Sequence, residues 1–283
     1  MWLADRLKQL GLKLKCAKSV CYVPSPARIE GTATNTDAEV QAVLPDCRIA
    51  KDGVVVVGVP VGSGAFVANH VQQTLSNESI DSLLAGIVSC RDTQLALALL
   101  RLCYITKATY LTRNVPPENA AAALRRFDAT ALAAFAAVIQ EPVQDVLLAA
   151  DTAHLPQWER VLQLIRADQW CGEAPVAFTA RQRAQIRLPF AHGGFGIYSM
   201  AAHSSAAFVA RTTEHLPAAL CFMPQSQRCQ LLGSLATLPL LRITRAAMQR
   251  LLSEHGLEHA KLAGALHPTG RRGCLTRLPA HLS

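Results

Sequence analysis

The hydrophobic period of this 283-residue chain changes once, after Ser63, and that change limits the architectures open to it. Before Ser63 the period is two. Leu12, Leu14 and Cys16 alternate with Lys13 and Lys15, Val20, Tyr22 and Val23 suit a second strand before Pro24, and residues 54–57 are a run of four valines. After Ser63, apolar residues recur at helical spacing through residues 66–75, 80–88 and 93–105, with short polar breaks suited to antiparallel helices. A period of two sends successive side chains to opposite faces of a strand, whereas a period of 3.6 gathers them on one helix face. Strands grouped first and helices afterwards are not the alternation that builds a doubly wound parallel sheet. The expected fold class is therefore α+β and mainly helical. A small antiparallel sheet of residues 12–16, 20–23 and 54–57 is expected, followed by a helical domain and a second helical layer.

Local signals place the boundaries. Trp2, Leu3, Leu7 and Leu10 lie on one helical face and Gly11 follows as a C-cap, so a helix over residues 2–10 should cap the sheet. Residues 24–52 mix Pro, Ser, Thr, Asn and Asp, which describes a loop with one short strand near Cys47 to Ile49. Asp52-Gly53 suits a turn into the valine run. Asn114-Val115-Pro116-Pro117 ends one helix and starts an Ala-rich one over residues 118–139, because proline suits a first helical turn and disfavours helix in the residue before it. Residues 157–166, 179–187 and 200–212 read as further helices, with His192-Gly193-Gly194-Phe195-Gly196 as the loop before the last. The expected domains are residues 1–64, 65–150 and 151–283, the last ending in a solvated basic tail from Arg271.

The chain is 51% hydrophobic but only 5% aromatic, so its core must be filled by Ala, Leu and Val, and Ala and Leu are strong helix formers. A formal charge of +8 attracts polyanions, since phosphates neutralised by Lys or Arg release condensed counterions. Basic residues gather at Lys8, Lys13, Lys15 and Lys18, and again at Arg242, Arg245, Arg250 and Lys261. The competing reading of either group is an ordinary solvated face. Nine cysteines, an odd number without a CxxC, point to free thiols and an intracellular protein. The N-terminus lacks the apolar h-region of a signal peptide, and the run 129–139 is too short to span a bilayer, so no membrane partner is expected.

Three chemistry-bearing patterns can be weighed. Gly58, Gly62 and Gly64 follow a strand and precede a helix, a context in which backbone amides can cradle phosphate. No Lys follows Gly64 as a Walker loop requires, however, and Pro60 removes one donor. A turn admitting another backbone is the simpler reading. The His192 to Gly196 stretch resembles esterase oxyanion glycines, yet no GxSxG elbow accompanies it, which leaves a structural loop. Asp81, Asp92, Asp128, Asp145 and Asp151 stand singly, without a DxD or paired carboxylates, so no metal site is expected and these acids should cap helices or pair locally.

Five stretches in order carry a resemblance. Gly11-Leu12-Lys13-Leu14-Lys15-Cys16-Ala17-Lys18-Ser19 resembles motif D of reverse transcriptases, GLxLNxxKS, with Lys15 where Asn is usual. Val54-Val55-Val56-Val57-Gly58-Val59-Pro60-Val61-Gly62-Ser63 resembles motif E, the primer-grip hairpin of LINE-like non-LTR retroelements. Residues 99–103, and 110–117 with Phe127-Asp128, resemble the thumb that follows in such open reading frames. Leu188-Pro189 with Gly193-Gly194-Phe195-Gly196-Ile197 resembles their downstream LPxxxGGLGL stretch. The similarity runs from about Trp2 to about Ala210.

The resemblance implies the C-terminal part of an RNA-directed DNA polymerase: the end of the palm, the primer grip and the thumb. In the family, metal-binding aspartates lie in motif A and in the (Y/F)xDD of motif C, upstream of motif D, and no such pair occurs in this chain. The chain is thus expected to be a fragment or truncated element, inactive alone. It should have no cofactor of its own, although the complete polymerase would use magnesium. RNA or DNA template-primer is the implied partner, with a separate palm and fingers segment as a second. Lys18 matches the motif D lysine placed to assist the departing pyrophosphate. Lys13, Lys15, Lys18 and the Gly58, Val59, Pro60, Val61, Gly62 turn would meet nucleic acid. Two alternatives stay open: a helical protein-interaction module with incidental charge, and a nucleotide-dependent enzyme using residues 58–64.

Overall fold

The computed structural model describes residues 19–23, 47–139, 178–221 and 239–255, with Gln9, Gly11, Gln41, Ala42, Glu159, Gln163 and Gln225 as isolated positions. Helix accounts for 73% of these residues, and the protein is mainly helical α+β. The strands come first. β1 (Val20–Tyr22), β2 (Arg48–Ala50), β3 (Gly53–Val56) and β4 (Val59–Gly62) precede all the long helices.

The strand pairing corrects the expected three-stranded antiparallel sheet. Residues 12–16 lie outside the described residues, as do residues 2–8 and 10 of the capping helix. β1 pairs with β2 in parallel, Cys21 opposite Ile49, and the Val23 amide extends the ladder to the Ala50 carbonyl at 2.9 Å. The long connection between them supplies the crossover that parallel pairing needs. β3 pairs with β4, not with β1, as an antiparallel hairpin with Val56 opposite Val59. The reason is the location of the reversal. Asp52-Gly53 leads into the hairpin, whereas the chain turns back at Val57-Gly58, and Pro60 disguised the second strand.

α1 (Gly64–Leu75) starts where Ser63 Oγ accepts the Phe66 amide at 3.1 Å, and it buries Val67, Val71 and Leu75 four residues apart. α2 (Glu78–Val88) is capped by Asn77 and buries Ile80, Leu84 and Ile87. α3 (Thr93–Leu99) is capped by Asp92, whose carboxylate accepts the Gln94 and Leu95 amides. It runs through a π-helical turn, Leu100–Tyr104, into α4 (Thr106–Asn114), nine residues beyond the expected end. Ala96, Leu100, Tyr104 and Ala108 are all buried and recur every fourth residue. In a plain α-helix each such step overshoots the face by about 40°; the wider turn absorbs that drift. The Thr106 hydroxyl donates to the Leu102 and Cys103 carbonyls at 2.8 and 3.2 Å, satisfying backbone that the wide turn disturbs.

α5 (Pro117–Val138) has proline at its first position, as expected, and is the centre of the core. From Phe127 to Ala136 every residue is buried and half of them are alanine, which lets neighbouring helices approach on all sides. Tyr104 stacks on Phe127 at 4.3 Å between centroids, and its hydroxyl donates to the Phe127 carbonyl at 3.3 Å. Burial, then the Asp128 carboxylate, holds that hydroxyl protonated well above the usual phenol range. By length and apolarity alone the 93–114 stretch, mean hydropathy 1.2, could cross a membrane; here its inner face packs into this core.

α6 (Ala180–Arg187) begins at a Thr179–Gln182 capping box, a short 3-10 turn spans Phe190–His192, and α7 (Met200–Cys221) and α8 (Pro239–His255) follow. The helix expected at 157–166 falls outside the described residues except for Glu159 and Gln163. Residues 1–204 and 205–283 are two compact units. The first holds the core around α5, and the second has its own cluster of Phe208, Val209 and Ala247.

Candidate nucleic-acid interface

In the β3–β4 hairpin Val56 faces Val59, Val55 faces Pro60, Val54 faces Val61 and Gly53 faces Gly62. A two-residue hairpin makes the pair next to the turn hydrogen-bonded, and bonded pairs alternate outward. Val55–Pro60 is then a non-bonded pair, where the missing proline N–H costs nothing. The Ser63 amide closes the ladder on the Asp52 carbonyl at 2.7 Å before Ser63 caps α1. Gly62 sits so close to the partner strand that a Cβ would strike the Asp52 carbonyl and Gly53 Cα. The two strands and the helix start are thus locked together by backbone contacts.

The apex is strained. Val57 has φ 50 and Gly58 φ 78, the two left-handed residues of a type I′ turn. Glycine tolerates this; a β-branched residue resists it by about 1–2 kcal/mol. Val57 is nevertheless held there, 87% exposed, with the Tyr110 hydroxyl of α4 donating to its carbonyl at 2.7 Å. Gly53 and Pro60, on one hairpin face, are buried but their face-mate Val55 is exposed, and Val56 and Val61 on the other face are exposed as well. The result is a hairpin finger with exposed valines on both faces and a backbone turn presented to solvent.

Of the sequence-derived site residues, Gly58, Val59, Pro60, Val61 and Gly62 come together in this hairpin, while Lys13, Lys15 and Lys18 lie outside the described residues. Val59 and Val61 stand in the hydrogen-bonded positions and aim their amides at β3, so residues 59–62 form a paired strand. Tyr110 was missed, and nothing in the sequence links it to Val57 across 53 residues.

Asp128 caps a helix, as expected of these acids, but the helix is not its own. The residue is buried beneath the start of α7, 71 residues away. Its carboxylate accepts the Ser199 hydroxyl at 2.7 Å and the Met200 and Ala201 amides at 2.8 and 3.0 Å, while Ser199 Oγ accepts the Ala202 amide at 3.1 Å. Three helix-start donors are thereby satisfied. Burial pushes the Asp128 carboxyl above its ordinary value, opposed by Ser199, the two amides and Arg187. Asp92 caps α3 and Asp81 lies in the first turn of α2, whereas Asp145 and Asp151 lie outside the described residues. Among the described residues no three of His, Cys, Asp or Glu converge as metal ligands.

The His192 to Gly196 loop is fastened to α6. Gly196 donates to the Leu188 carbonyl at 2.8 Å, Phe195 and Ile197 both donate to the Ile186 carbonyl at 3.3 Å, and Gln185 Nε2 donates to the Gly193 carbonyl at 2.5 Å. Phe190 projects beside it, with the Arg101 guanidinium 4.4 Å from its ring centre. Comparison with family models, curated proteins and solved structures yields no match to this chain.

Proposed function

We propose that this chain is the template-primer-holding part of a reverse transcriptase of the LINE-like non-LTR kind, without polymerase activity of its own. One observation supports the reading above others: a hairpin with an exposed backbone apex, joined by the single capping residue Ser63 to a helical body whose Tyr110 hydroxyl donates to that apex. A primer strand needs such a rest. Backbone and ammonium contacts to phosphate position a strand without reading its sequence. Phosphoryl transfer itself requires carboxylate-held magnesium, which a separate palm segment would supply. Here Gly58 and Val57 would meet the sugar-phosphate backbone, and Lys13, Lys15 and Lys18 would neutralise it.

Primer extension with the purified chain, magnesium and all four deoxynucleotides tests the catalytic half. No incorporation is expected, and extension should appear only when a polypeptide carrying motifs A to C is added. Template-dependent extension by the chain alone would overturn it. A second reading, a protein-interaction module, draws on the exposed Val56, Val57 and Val61. It predicts that the chain does not bind template-primer even at low salt.

A further inference from the structure

The α6 segment and its loop carry a feature that the hairpin does not explain. Between Phe178 and Ser199 there are three arginines and one histidine but no Asp or Glu, so this stretch is uniformly basic. Its most exposed large apolar side chain is Phe190, 56% exposed, on a loop whose backbone is otherwise pinned to α6. An aromatic ring normally leaves water unless something else occupies its surface. Here Arg101, from the π-helical turn, lies against the ring at 4.4 Å and brings a further positive charge. Arg181 is exposed and stands four residues from Gln185, hence on the same helix face. Gln185 itself holds the Phe190-bearing loop through Gly193. One exposed ring, one guanidinium beside it and a second exposed guanidinium one helical turn before Gln185 form a stacking platform among basic side chains; the carboxylate that meets this stretch at Ser199, Asp128, is buried and already accepts three hydrogen bonds. That combination is what unpaired nucleic acid uses, since every base has a π-face and every phosphate a charge.

We propose that Phe190, with Arg101 against its ring and Arg181 exposed on the adjoining helix, is a second binding element that stacks a base of single-stranded RNA or DNA. It goes beyond the hairpin reading, because it takes an unpaired strand and lies on residues with no part in the turn. Fluorescence anisotropy with a labelled oligothymidylate, using the full chain, provides the test. Phe190→Ala should weaken binding about 5- to 150-fold with an unchanged salt slope, and Phe190→Trp should retain it. Arg181→Ala should lower the slope by about one. Because Phe190 is exposed, circular dichroism of Phe190→Ala should match the native chain. Unchanged affinity in Phe190→Ala with binding otherwise intact would overturn the stacking role while leaving the hairpin reading standing. Loss confined to the arginine variant would reduce the surface to charge alone and equally overturn it. Absence of any oligothymidylate binding by the native chain would overturn the stacking role while leaving the hairpin reading to duplex binding, and capture of an acidic peptide in place of the oligonucleotide would reassign the surface to a protein.

Discussion

Replacing Asp128 by alanine should destabilise the first compact unit more than any exposed substitution, because three donors lose their acceptor at once. The Ser199 hydroxyl and the Met200 and Ala201 amides all point at this one buried carboxylate. An orphaned buried donor costs about 1–3 kcal/mol. Ser199 can turn to another acceptor and the desolvated charge disappears, so the net loss should be about 2–4 kcal/mol rather than the sum. Asp128→Asn keeps one acceptor and removes the buried charge, and should cost about 1 kcal/mol or less at neutral pH. The pH dependence has a definite sign. Burial raises the folded-state carboxyl above its unfolded value of about 3.9, so the ionised form is the disfavoured one. That penalty is absent below the unfolded value and complete above the folded one. Native stability measured against Asp128→Asn should therefore fall as pH rises from 4 to 7. Urea unfolding at several pH values, with hydrogen exchange at Met200 and Ala201, reads both effects. An alanine variant within 0.5 kcal/mol of native, or a native advantage over asparagine that grows with pH, would refute the reasoning.

Two substitutions probe the hairpin. Val57→Asn places a residue suited to positive φ in the type I′ turn and should stabilise the hairpin by about 1 kcal/mol in denaturant unfolding; a loss of stability would show that Val57 is held by packing and not merely tolerated. Gly62→Ala drives a Cβ into the Asp52 carbonyl and Gly53 Cα, and should cost about 3 kcal/mol or abolish the hairpin's slow-exchanging amides.

The helical body was legible because its signals are local. Buried positions four apart, the Ser63, Asn77 and Asp92 caps and the proline start of α5 all lie in contiguous sequence, and helix starts fall within a few residues of expectation, whereas the helices expected to end at 105 and 212 each run nine residues further, to Asn114 and Cys221. Two things were not legible, and both depend on distant residues. Strand partners are chosen by tertiary contact, so a valine run by itself cannot announce whether it pairs backward or forward, and a hairpin over residues 54–63 was expected only through the motif E resemblance; Val-Gly is also a poor advertisement for a type I′ turn, and Pro60 is tolerated only through its register. Asp128 and Tyr110 act across 71 and 53 residues, and no spacing rule connects an acid in one helix to the first turn of another. The π-helical turn escaped for a related reason, since 93–105 keeps an apolar face in either helix type.

Salt-dependent binding of template-primer duplex tests the proposed function most directly. Anisotropy titrations between 50 and 200 mM salt should give weak, sequence-independent binding whose logarithm falls linearly with log salt. In Lys13→Ala/Lys15→Ala/Lys18→Ala the slope should be about three units shallower, near one per lysine lost. Identical slopes and affinities for native and triple variant would remove the lysines from the interface, and no binding by the native chain at 50 mM salt would contradict the nucleic-acid reading itself.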